Sequence, residues 1–379
     1  MSKDNRPIRI AQIVGKWVGG GVEAVIMNYY KHIDRTKIQF DFICDSDSTD
    51  IPFEEIEKLG GRVYLIHPYQ NIIKYQKELK KLLKENKYKI VHSHINTLSV
   101  FSLYAAKKAG VPIRIAHSHA TTNQKEFVRN IVKLILRPFS KLYATNYACC
   151  SKYAGIWMFG SNNYNKNRVF KINNAIELDK FVYDIQIRNS YRKKLGINDN
   201  QIVIGHVGRL VKTKNQSFLI DVFSKICEKK DAILLLLGQG PLEECLKLHA
   251  ESLGIKDRVI FLGQKNDVNN WYQTFDAFIL PSLYEGFGMA LLEAQVSNLP
   301  CIVSTNVPSE SKIIEDFRFL TLKDSCELWA NTTLQLIRQN KRKSNKELIT
   351  NEGYDILKES KKLTNYYLNL IEEGLHANN

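Results

Sequence analysis

Short β-rich runs alternate with helical stretches along the chain, and this alternation constrains the fold more than any other feature. It begins twice in the same way, with a strand-like run, a glycine turn and a helical pattern. Such alternation predicts parallel sheets covered by helices. We therefore predict an α/β fold with two facing, doubly wound, Rossmann-like domains. The predicted strands are 8–14, 40–44, 63–66, 90–92, 113–117 and 169–172, then 202–207, 232–237, 259–261, 278–280 and 301–304.

A polar and charged segment, 177–200, interrupts the alternation and shows no clear apolar period. We interpret it as the link between the domains. The first domain is assigned to 1–180 and the second to 196–354, and the stretch 354–375 is predicted to form a long helix. A ligand cleft is expected between two such domains, at the carboxyl ends of their strands.

The formal net charge of +15 indicates an anionic partner, which could be nucleic acid, acidic lipid or a phosphorylated ligand. The seven cysteines include no CxxC pair, which is typical of reduced cysteines in a cytosolic protein. The N-terminus lacks the apolar core of a signal peptide, and no run approaches the ~18–20 apolar residues that span a bilayer. The predicted location is cytoplasmic, with any membrane contact peripheral.

The strongest motif runs from Glu285 to Glu293, directly after the strand 278–280. A helix is predicted to begin near Gly288, so that the amides of 286–289 form a helix N-terminus suited to phosphate. Each carboxylate can accept two hydroxyl hydrogens, as the two ends of a nucleotide sugar require. The alternative is that Glu293 lies on a helix surface and Glu285 is a solvated loop residue.

Two cations follow the first strand of the second half. Arg209 offers a bidentate fork and Lys214 a point charge, and both suit a diphosphate. They could stabilise a leaving diphosphate in place of a metal; the alternative is a basic surface loop. In the first half, Gly19 to Gly21 would let the backbone approach a ligand. The spaced third glycine of a dinucleotide fingerprint is missing there.

Four histidines stand at two predicted strand ends: His92 with His94, and His117 with His119. Histidine can donate to a sugar hydroxyl or a phosphate. Zinc is not predicted, because each pair is two residues apart and no nearby cysteine or aspartate completes a tetrahedral set. The alternative for each is a core or strand-end histidine whose hydrogen bonds are satisfied.

Basic residues recur every four positions over 125–141, with apolar residues between them. On a helix this spacing places a basic stripe beside an apolar face, which suits an anionic membrane surface. The alternative is a helix whose apolar face lies in the core. A second lysine-rich helix is predicted over 74–89. The basic residues of the first are Lys125, Arg129, Lys133, Arg137 and Lys141.

Together, in this order, the motifs resemble glycosyltransferase family 4 of the GT-B fold, and within it the bacterial exopolysaccharide and capsule enzymes. The resemblance covers most of the chain. It is carried by 20–23, 91–94, 114–117, 150–155, 158–160, 173–176, 208–209, 214–215, 238–241, 258–263 and 285–293.

The resemblance implies roles for the matching residues. Arg209 and Lys214 would hold the donor diphosphate, and Glu293 the ribose hydroxyls. Glu285 would hold the transferring sugar, which His117 would also contact. These roles make His117, Glu285, Arg209 and Lys214 the predicted catalytic set. The remaining predicted donor contacts are glycines at the domain junction and loop amides: Gly20, Gly21, Gly286, Phe287 and Gly288.

The resemblance also implies the reaction. A hexose would pass from a nucleotide diphosphate, with UDP expected and GDP as the alternative, to a glycan acceptor, with retained configuration and without metal or cofactor. The basic helices favour a polyprenyl-diphosphate-linked acceptor at the inner face of the cell membrane. The C-terminal helix, 355–379, would cross back to the first domain. One departure is Ala175, where the family usually has glycine; a turn with positive φ would tolerate alanine poorly.

Asp45 and Asp47 form a DxD tripeptide, which a different glycosyltransferase fold uses to hold a divalent metal. We interpret them as solvated turn carboxylates. Other functions considered are a nucleotide-sugar epimerase or a soluble disaccharide synthase of the same fold, and a basic nucleic-acid-binding protein. The last would need a basic face with stacking aromatics, and no RNA- or DNA-binding motif is present.

Overall fold

The computed structural model describes residues 6–119 and 127–376. The chain forms two compact units, Met1–Ala175 with Asp355–Asn379, and Ile176–Tyr354. Each unit contains one parallel sheet, with the strand orders β3-β2-β1-β4-β5-β6-β7 and β10-β9-β8-β11-β12-β13. The order reverses between β1 and β4 in the first sheet and between β8 and β11 in the second. The predicted two-domain, doubly wound α/β fold is confirmed.

The first unit contains β1 (Ile8–Gly15), β2 (Ile38–Asp45), β3 (Arg62–Ile66), β4 (Ile90–Ser93), β5 (Ile113–Ser118), β6 (Asn146–Cys149) and β7 (Val169–Lys171). Its helices before the crossover are α1 (Gly21–His32), α2 (Phe53–Lys58), α3 (Ile72–Glu85), α4 (Ser99–Lys108), α5 (Phe127–Leu136), α6 (Lys152–Phe159) and α7 (Ser161–Asn165). Ile13, Val91 and Ala116 pack with helix residues such as Leu79 and Leu103 in one buried cluster.

The second unit contains β8 (Ile202–Val207), β9 (Ala232–Leu237), β10 (Val259–Gly263), β11 (Ala277–Leu280), β12 (Cys301–Ser304) and β13 (Phe317–Leu320). Its helices are α8 (Ile185–Lys194), α9 (Gln216–Cys227), α10 (Glu243–Ser252), α11 (Val268–Thr274), α12 (Met289–Val296), α13 (Cys326–Gln339) and α14 (Lys346–Asn351). Neighbouring residues of β8 enter different clusters, Val203 on one face and Ile204 on the other. The sheet is therefore covered on both faces, which is why most residues of its strands are apolar.

The C-terminal helix α15 (Ile356–His376) belongs to the first unit, as the resemblance implied. Tyr366 stacks on Phe170, with ring centroids 3.9 Å apart and an interplanar angle of 6°. The adjacent Tyr367 is fully buried and meets Phe40 edge to face. Burial of such rings is the main contribution that a single helix makes to docking.

The structure contains every predicted strand and two more, β6 and β13. Both are only four residues long, and each includes polar or charged positions, Asn146 in the first and Arg318 in the second. Short strands of this kind do not show a periodic apolar signal. Their place in the sheets comes from parallel pairing, with β5 and β7 for β6 and with β12 for β13.

The segment 177–200 is not a simple linker, and this prediction was wrong. It contains helix α8, capped by the Asp184 carboxylate, which accepts from two backbone amides. Arg188 and Arg192 pair with Asp276 at 2.5 and 3.5 Å, and Arg192 is only 3% exposed. The helix is held by these ion pairs to Asp276, which follows α11, and meets α11 itself through an edge-to-face contact of Tyr191. Because charged side chains make this contact, the sequence shows no apolar period.

Ala175 causes no strain. It is absent from the residues with positive φ and is fully buried. Its N–H donates to the Asn173 carbonyl at 2.8 Å, and its own carbonyl accepts from Asn28 at 3.0 Å. The turn is therefore held by side-chain contacts with α1 and does not need the left-handed conformation that a glycine would supply.

Candidate active site

The loops that follow β8 and β11 meet at the point where the second sheet reverses its strand order. In open α/β sheets this is where ligands bind, at the carboxyl ends of the strands. The Leu283 amide donates to the Thr213 carbonyl at 2.8 Å, and Asn215 Nδ2 donates to the Pro281 carbonyl at 3.2 Å. These bonds hold the two loops together and bring their side chains to one place.

Lys214 and Glu285 are an ion pair at this point. Lys214 Nζ lies 2.5 Å from Glu285 Oε2, and the side chains are 21% and 14% exposed. Ser282 Oγ also donates to the same oxygen at 3.3 Å. Lys214 ends a 3-10 turn, and Asn215 follows in the left-handed region with φ 58°, so the chain turns sharply into α9. The Glu285 carboxylate thus holds the Lys214 ammonium in position. A phosphate of a ligand would bind Lys214 either in place of Glu285 or beside it.

Arg209 contributes a second cation with a different environment. The residue is exposed. Its guanidinium makes no hydrogen bond or ion pair with any residue that the structure describes. Its backbone is fixed, since its carbonyl accepts from Gln216 Nε2 at 2.8 Å. A fixed backbone with an unpaired guanidinium suits capture of an anion.

Glycines allow the loops after β8 and β9 to approach closely. A Cβ on Gly238 would lie 2.2 Å from the Gly208 carbonyl oxygen, and one on Gly240 would lie 2.3 Å from that of Leu210. Gly238 also has φ +130°. Gly208 itself is packed by the Lys214 stem, which lies 3.4 Å from where its Cβ would be. Gly238 and Gly240 thus shape the site; the resemblance included both positions but assigned them no role.

The loop before α12 presents backbone amides as predicted. Gly288 caps the helix with φ 76°, a conformation that favours glycine. A Cβ on Gly286 would meet no atom within 4 Å, so the space beside it is open. Across the described residues, the amides of Gly286, Phe287 and Gly288 have no hydrogen-bond acceptor. Unpaired amides at a helix N-terminus bind anions.

The Phe287 side chain has a structural role. It is 6% exposed and stacks on Tyr354, with ring centroids 5.1 Å apart. Only the backbone of Phe287 can therefore contact a ligand. The stack anchors the amide-bearing loop to the core that includes Leu292 and Ile349.

Glu293 lies one turn inside α12. Tyr272 Oη donates to its Oε2 at 2.8 Å. Burial raises the pKa of Glu293 to about 7, although the bond from Tyr272 lowers it. The carboxyl group therefore changes its charge near neutral pH. The ionised carboxylate only accepts hydrogen bonds, whereas in the protonated form one oxygen becomes a donor.

In the first unit, Gly20 and Gly21 begin α1 beside the reversal between β1 and β4. A Cβ on Gly20 would lie 2.8 Å from Glu23 Oε2, whereas one on Gly21 would meet no atom within 4 Å. The other Glu23 oxygen accepts from the Val18 amide at 3.2 Å. The Glu23 carboxylate thus holds the glycine loop against α1. Gly21 is the position with open space for a ligand.

The four histidines form one cluster at the ends of β4 and β5. His92 Nε2 lies 3.1 Å from His117 Nδ1, and His94 Nδ1 lies 2.9 Å from His119 Nε2. The rings of His117 and His119 stack at 3.8 Å. Burial lowers the pKa of all four, to about 3 for His92 and His119 and well below the usual value for the others. The cluster is therefore uncharged at neutral pH.

Two residues that sequence reasoning missed complete the cluster. Gln12 Oε1 lies 2.7 Å from His94 Nε2, and Gln12 Nε2 donates to Tyr367 Oη at 3.4 Å. Tyr367 Oη lies 2.7 Å from His92 Nδ1. His117 Nε2 is buried and has no partner among the residues that the structure describes. Nitrogens of His92, His94 and His117 lie within 4.8 Å of one another, a spacing that a metal could also use.

Asp45 and Asp47 differ in environment. Asp47 is exposed and pairs with Lys16 at 2.7 Å, as a turn carboxylate does. Asp45 is only 4% exposed, and burial raises its pKa to about 6. The interpretation of both as solvated was therefore wrong for Asp45, which ends the buried strand β2.

The two lysine-rich helices also differ. In α3, Tyr75, Leu79 and Leu83 are buried, so its apolar face lies in the core. In α5 and the 3-10 turn Arg137–Lys141, the apolar residues face outward: Leu134, Ile135 and Phe139 are 50%, 60% and 49% exposed. Lys125 and the side chain of Arg129 lie outside the described residues. No helix of the described chain is long and apolar enough to cross a membrane.

Two Rossmann-like units, with cations, amides and carboxylates gathered where one sheet reverses, define a GT-B glycosyltransferase. Residues 19–180 match the family model described as Glycosyltransferase Family 4. Residues 187–352 match the model described as Glycosyl transferases group 1. The chain belongs to this family of glycosyltransferases, and the predicted family and enzyme class are confirmed.

Similar proteins agree over nearly the whole chain. The putative glycosyltransferase EpsF of Bacillus subtilis is 31% identical, over 97% of this chain and 98% of the relative. A UDP-Gal:alpha-D-GlcNAc-diphosphoundecaprenol alpha-1,3-galactosyltransferase of Escherichia coli is 27% identical, over 98% and 99%. Among solved structures, HepE of Anabaena in complex with UDP has a TM-score of 0.78 at 18% identity, over 96% of this chain and 100% of HepE. The last likeness shows the fold alone.

Proposed function

We propose that this glycosyltransferase moves a hexose from a UDP-sugar to a glycan carried on polyprenyl diphosphate, in the synthesis of a surface polysaccharide. The observation that carries the proposal is the anion site of the second unit. It combines the unpaired Arg209 guanidinium, the Lys214 ammonium and the unpaired amides of 286–288. A doubly charged diphosphate matches this set of donors.

The donor would bind with its parts in separate contacts. Arg209 and Lys214 take the diphosphate, and Glu293 accepts the ribose hydroxyls. Glu285 releases Lys214 to the phosphate and accepts hydroxyls of the transferring sugar. The Gly286 amide, with open space beside it, takes the phosphate side. Each group matches the chemistry of the part that it is assigned.

The choice of donor and acceptor draws on the relatives. HepE has been solved with UDP and with UDP-glucose. The E. coli relative is named for a UDP-galactose donor and a diphosphoundecaprenol-linked acceptor. A diphosphate-linked lipid also fits a chain with a net charge of +15.

In the proposed mechanism, the sugar leaves through an oxocarbenium-like transition state with retained configuration. The charge that develops on the diphosphate is stabilised by Arg209, Lys214 and the loop amides. Two fixed cations supply the electrostatic stabilisation that a divalent ion supplies elsewhere, so the reaction is proposed to need no metal. His117, uncharged, donates a hydrogen bond to the transferring sugar.

We further propose that α5 lies on the anionic inner face of the cell membrane, with the protein in the cytoplasm. Exposed leucine, isoleucine and phenylalanine beside lysine and arginine is the composition of an interfacial helix. Helix α3 differs from α5 in this respect, because its apolar face is buried in the core. Binding to vesicles with phosphatidylglycerol should fall about tenfold in a Leu134→Ser/Ile135→Ser variant. Leu248→Ser, which changes an exposed leucine of the second unit (65%), is the matched control.

The experiment for the whole proposal is a panel of nucleotide sugars with a polyprenyl-diphosphate-linked acceptor, with and without EDTA. Released nucleotide and the product anomer are read by mass spectrometry and NMR. Acceptor-dependent UDP release that survives EDTA, with an α-linked product from an α-linked donor, supports the proposal. An isomerised donor without acceptor indicates an epimerase, and loss of activity with EDTA contradicts the metal-independent mechanism.

A further inference from the structure

A chain of six polar side chains runs through the interior of the first unit. Its members come from β1, from the ends of β4 and β5, and from α15. Each is within hydrogen-bond distance of the next. In spatial order the members are His119, His94, Gln12, Tyr367, His92 and His117.

The protons that each side chain carries determine which partner donates in each hydrogen bond of this chain. A neutral histidine has one N–H donor and one bare acceptor nitrogen. All four histidines are neutral, because burial lowers the pKa of each. If one nitrogen accepts, the other must donate. The direction of a single link therefore sets the direction of the next.

Gln12 sets the starting direction, since its amide has distinct ends. The amide nitrogen can only donate, and it faces Tyr367 Oη. Tyr367 therefore accepts from Gln12, and its own hydroxyl donates to His92 Nδ1. At the other end of the amide, Gln12 Oε1 can only accept, and it receives the proton on His94 Nε2.

The protons follow from there. His92 accepts on Nδ1, so it carries its proton on Nε2 and donates to His117 Nδ1. His117 must then carry its own proton on Nε2. That nitrogen is buried and has no acceptor within the part of the chain that the structure describes. The hydrogen-bond chain thus ends in a buried N–H donor. A ligand oxygen would accept from it, and leaving it unpaired costs free energy.

We propose that Gln12 and Tyr367 are positioning residues, which hold His117 in the tautomer whose Nε2–H donates to a ligand oxygen. The consequence for catalysis rests on the proposed function, in which that oxygen belongs to the transferring sugar; the tautomer itself does not. Links that all point one way strengthen each other in a low-dielectric interior. The C-terminal helix, which supplies Tyr367, thus takes part in the chemistry of the first unit.

The opposite tautomer would present a bare nitrogen, which could accept from a sugar hydroxyl but could not donate to a ligand oxygen. A metal at these histidines is the competing interpretation of the same geometry. A metal needs bare nitrogens. In the chain, however, Nε2 of His92, His94 and His117 all carry protons, and each Nδ1 accepts from the preceding member, so a metal would require the chain to be broken.

The test is the tautomer of each histidine, read from long-range ¹H–¹⁵N couplings in the full-length protein labelled with [¹⁵N]histidine. We expect the Nε2–H form at His92 and His117 in the wild type. Tyr367→Phe should leave a mixture of tautomers at both. In steady-state kinetics the same variant should lower kcat about tenfold and leave the donor KM within about twofold. Tyr366→Phe is the matched control, because its ring stacks on Phe170 and its hydroxyl is not in the chain.

A second variant, Gln12→Glu, changes one atom and keeps the shape. An ionised carboxylate only accepts, so Tyr367 would donate to it and accept from His92 Nδ1–H. The tautomers of His92 and His117 should then invert, with kcat reduced. Circular dichroism and thermal melting establish that each variant is folded.

Three results would overturn the proposal: an Nδ1–H form of His117 in the wild type, unchanged tautomers in both variants, or stoichiometric zinc that is lost in His117→Ala. If tautomers shift as expected while kcat stays constant, the link to catalysis is wrong. If the wild type turns over no nucleotide sugar, the proposed function fails and the tautomer result still stands.

Discussion

The two sheets reverse their strand order at corresponding points, yet the polar groups gathered there differ in charge. In the second unit they are ionic, with a 2.5 Å ion pair between Lys214 and Glu285 and an exposed, unpaired Arg209. In the first unit they are four uncharged, buried histidines bonded to one another. The same topology therefore holds two different kinds of polar site. Ionic groups suit a diphosphate, whereas fixed neutral donors suit the hydroxyls of a sugar.

The two sites differ in charge because their polar groups differ in exposure to solvent. The loops after β8 and β11 are tied by backbone bonds and leave their charges near solvent. The ends of β4 and β5 are covered by Tyr367, and a charge there would be desolvated. Neutral tautomers in a directed chain are the arrangement that such a site can hold.

The largest expected effect tests the ionic site. Lys214→Ala should lower kcat/KM about 10³-fold, because it removes a cation from the leaving diphosphate. Lys212→Ala, an exposed lysine on the same turn, is the matched control and should stay near wild type. Steady-state UDP release measures both. Equal effects of the two substitutions would mean that only the general basicity of the loop matters.

His117→Ala should lower kcat about 10²-fold, since it removes one hydrogen-bond donor in the transition state. UDP affinity, measured by calorimetry, should be unchanged, because the groups assigned to UDP lie in the second unit. A comparable loss of UDP affinity would contradict the division of labour between the units.

The next prediction concerns acid. The four histidines have folded-state pKa values below that of the unfolded chain, so their stability contribution is present above about pH 6.5 and is lost as the pH falls toward 3. Each such histidine contributes a slope of about 1.4 kcal/mol per pH unit between pH 6 and 4. Replacing the buried His92 by Gln should reduce the slope of the unfolding free energy by about one proton. Urea titrations from pH 4.5 to 7.5 measure it, and an unchanged slope would count against a neutral His92.

The smallest effect has the opposite sign and belongs to the second unit. Burial raises the Glu293 pKa from its usual 4.5 to about 7, so its contribution to stability is present below about pH 4.5 and is lost as the pH rises through 7. Below pH 7 the protonated carboxyl also has less capacity to accept hydrogen bonds. The donor KM should rise a few-fold between pH 8 and 6. In Glu293→Gln this dependence should vanish, and the melting temperature should gain more at pH 8 than at pH 5. A KM that stays pH-dependent in the variant would assign the titration to another group.

Local sequence patterns were sufficient for much of the fold and of the ionic site. The strands 8–14 and 202–207 are mostly apolar because both faces of their sheets are covered, with Gln12 and His206 as buried polar exceptions. The spacing from Glu285 to Glu293 predicted the helix start that the structure has at Met289. Lys214 and Glu285 are 71 residues apart, but both lie in loops that follow strands, and strand ends share an edge by topology alone.

Other features depended on partners that no local pattern reveals. Helix α8 was missed because its contacts are ionic, and β6 because four half-polar residues carry no period. The sequences of α3 and α5 show similar patterns of basic and apolar residues. They could not predict that the apolar face is buried in α3 and exposed in α5, because that depends on the elements that pack against each helix.

The sequence by itself thus determined two doubly wound units, the enzyme family and the ionic site, because periodicity, glycines and strand-end residues are local signals. Only the tertiary structure decided the state of the histidines. Tyr367 reaches His92 across 275 positions of the chain, and Gln12 reaches His94 across 82. The first contact requires α15 to pack on the first unit, and the second requires β1 to pair with β4. Which nitrogen of His117 carries its proton is set by that packing, and no pattern along the chain contains it.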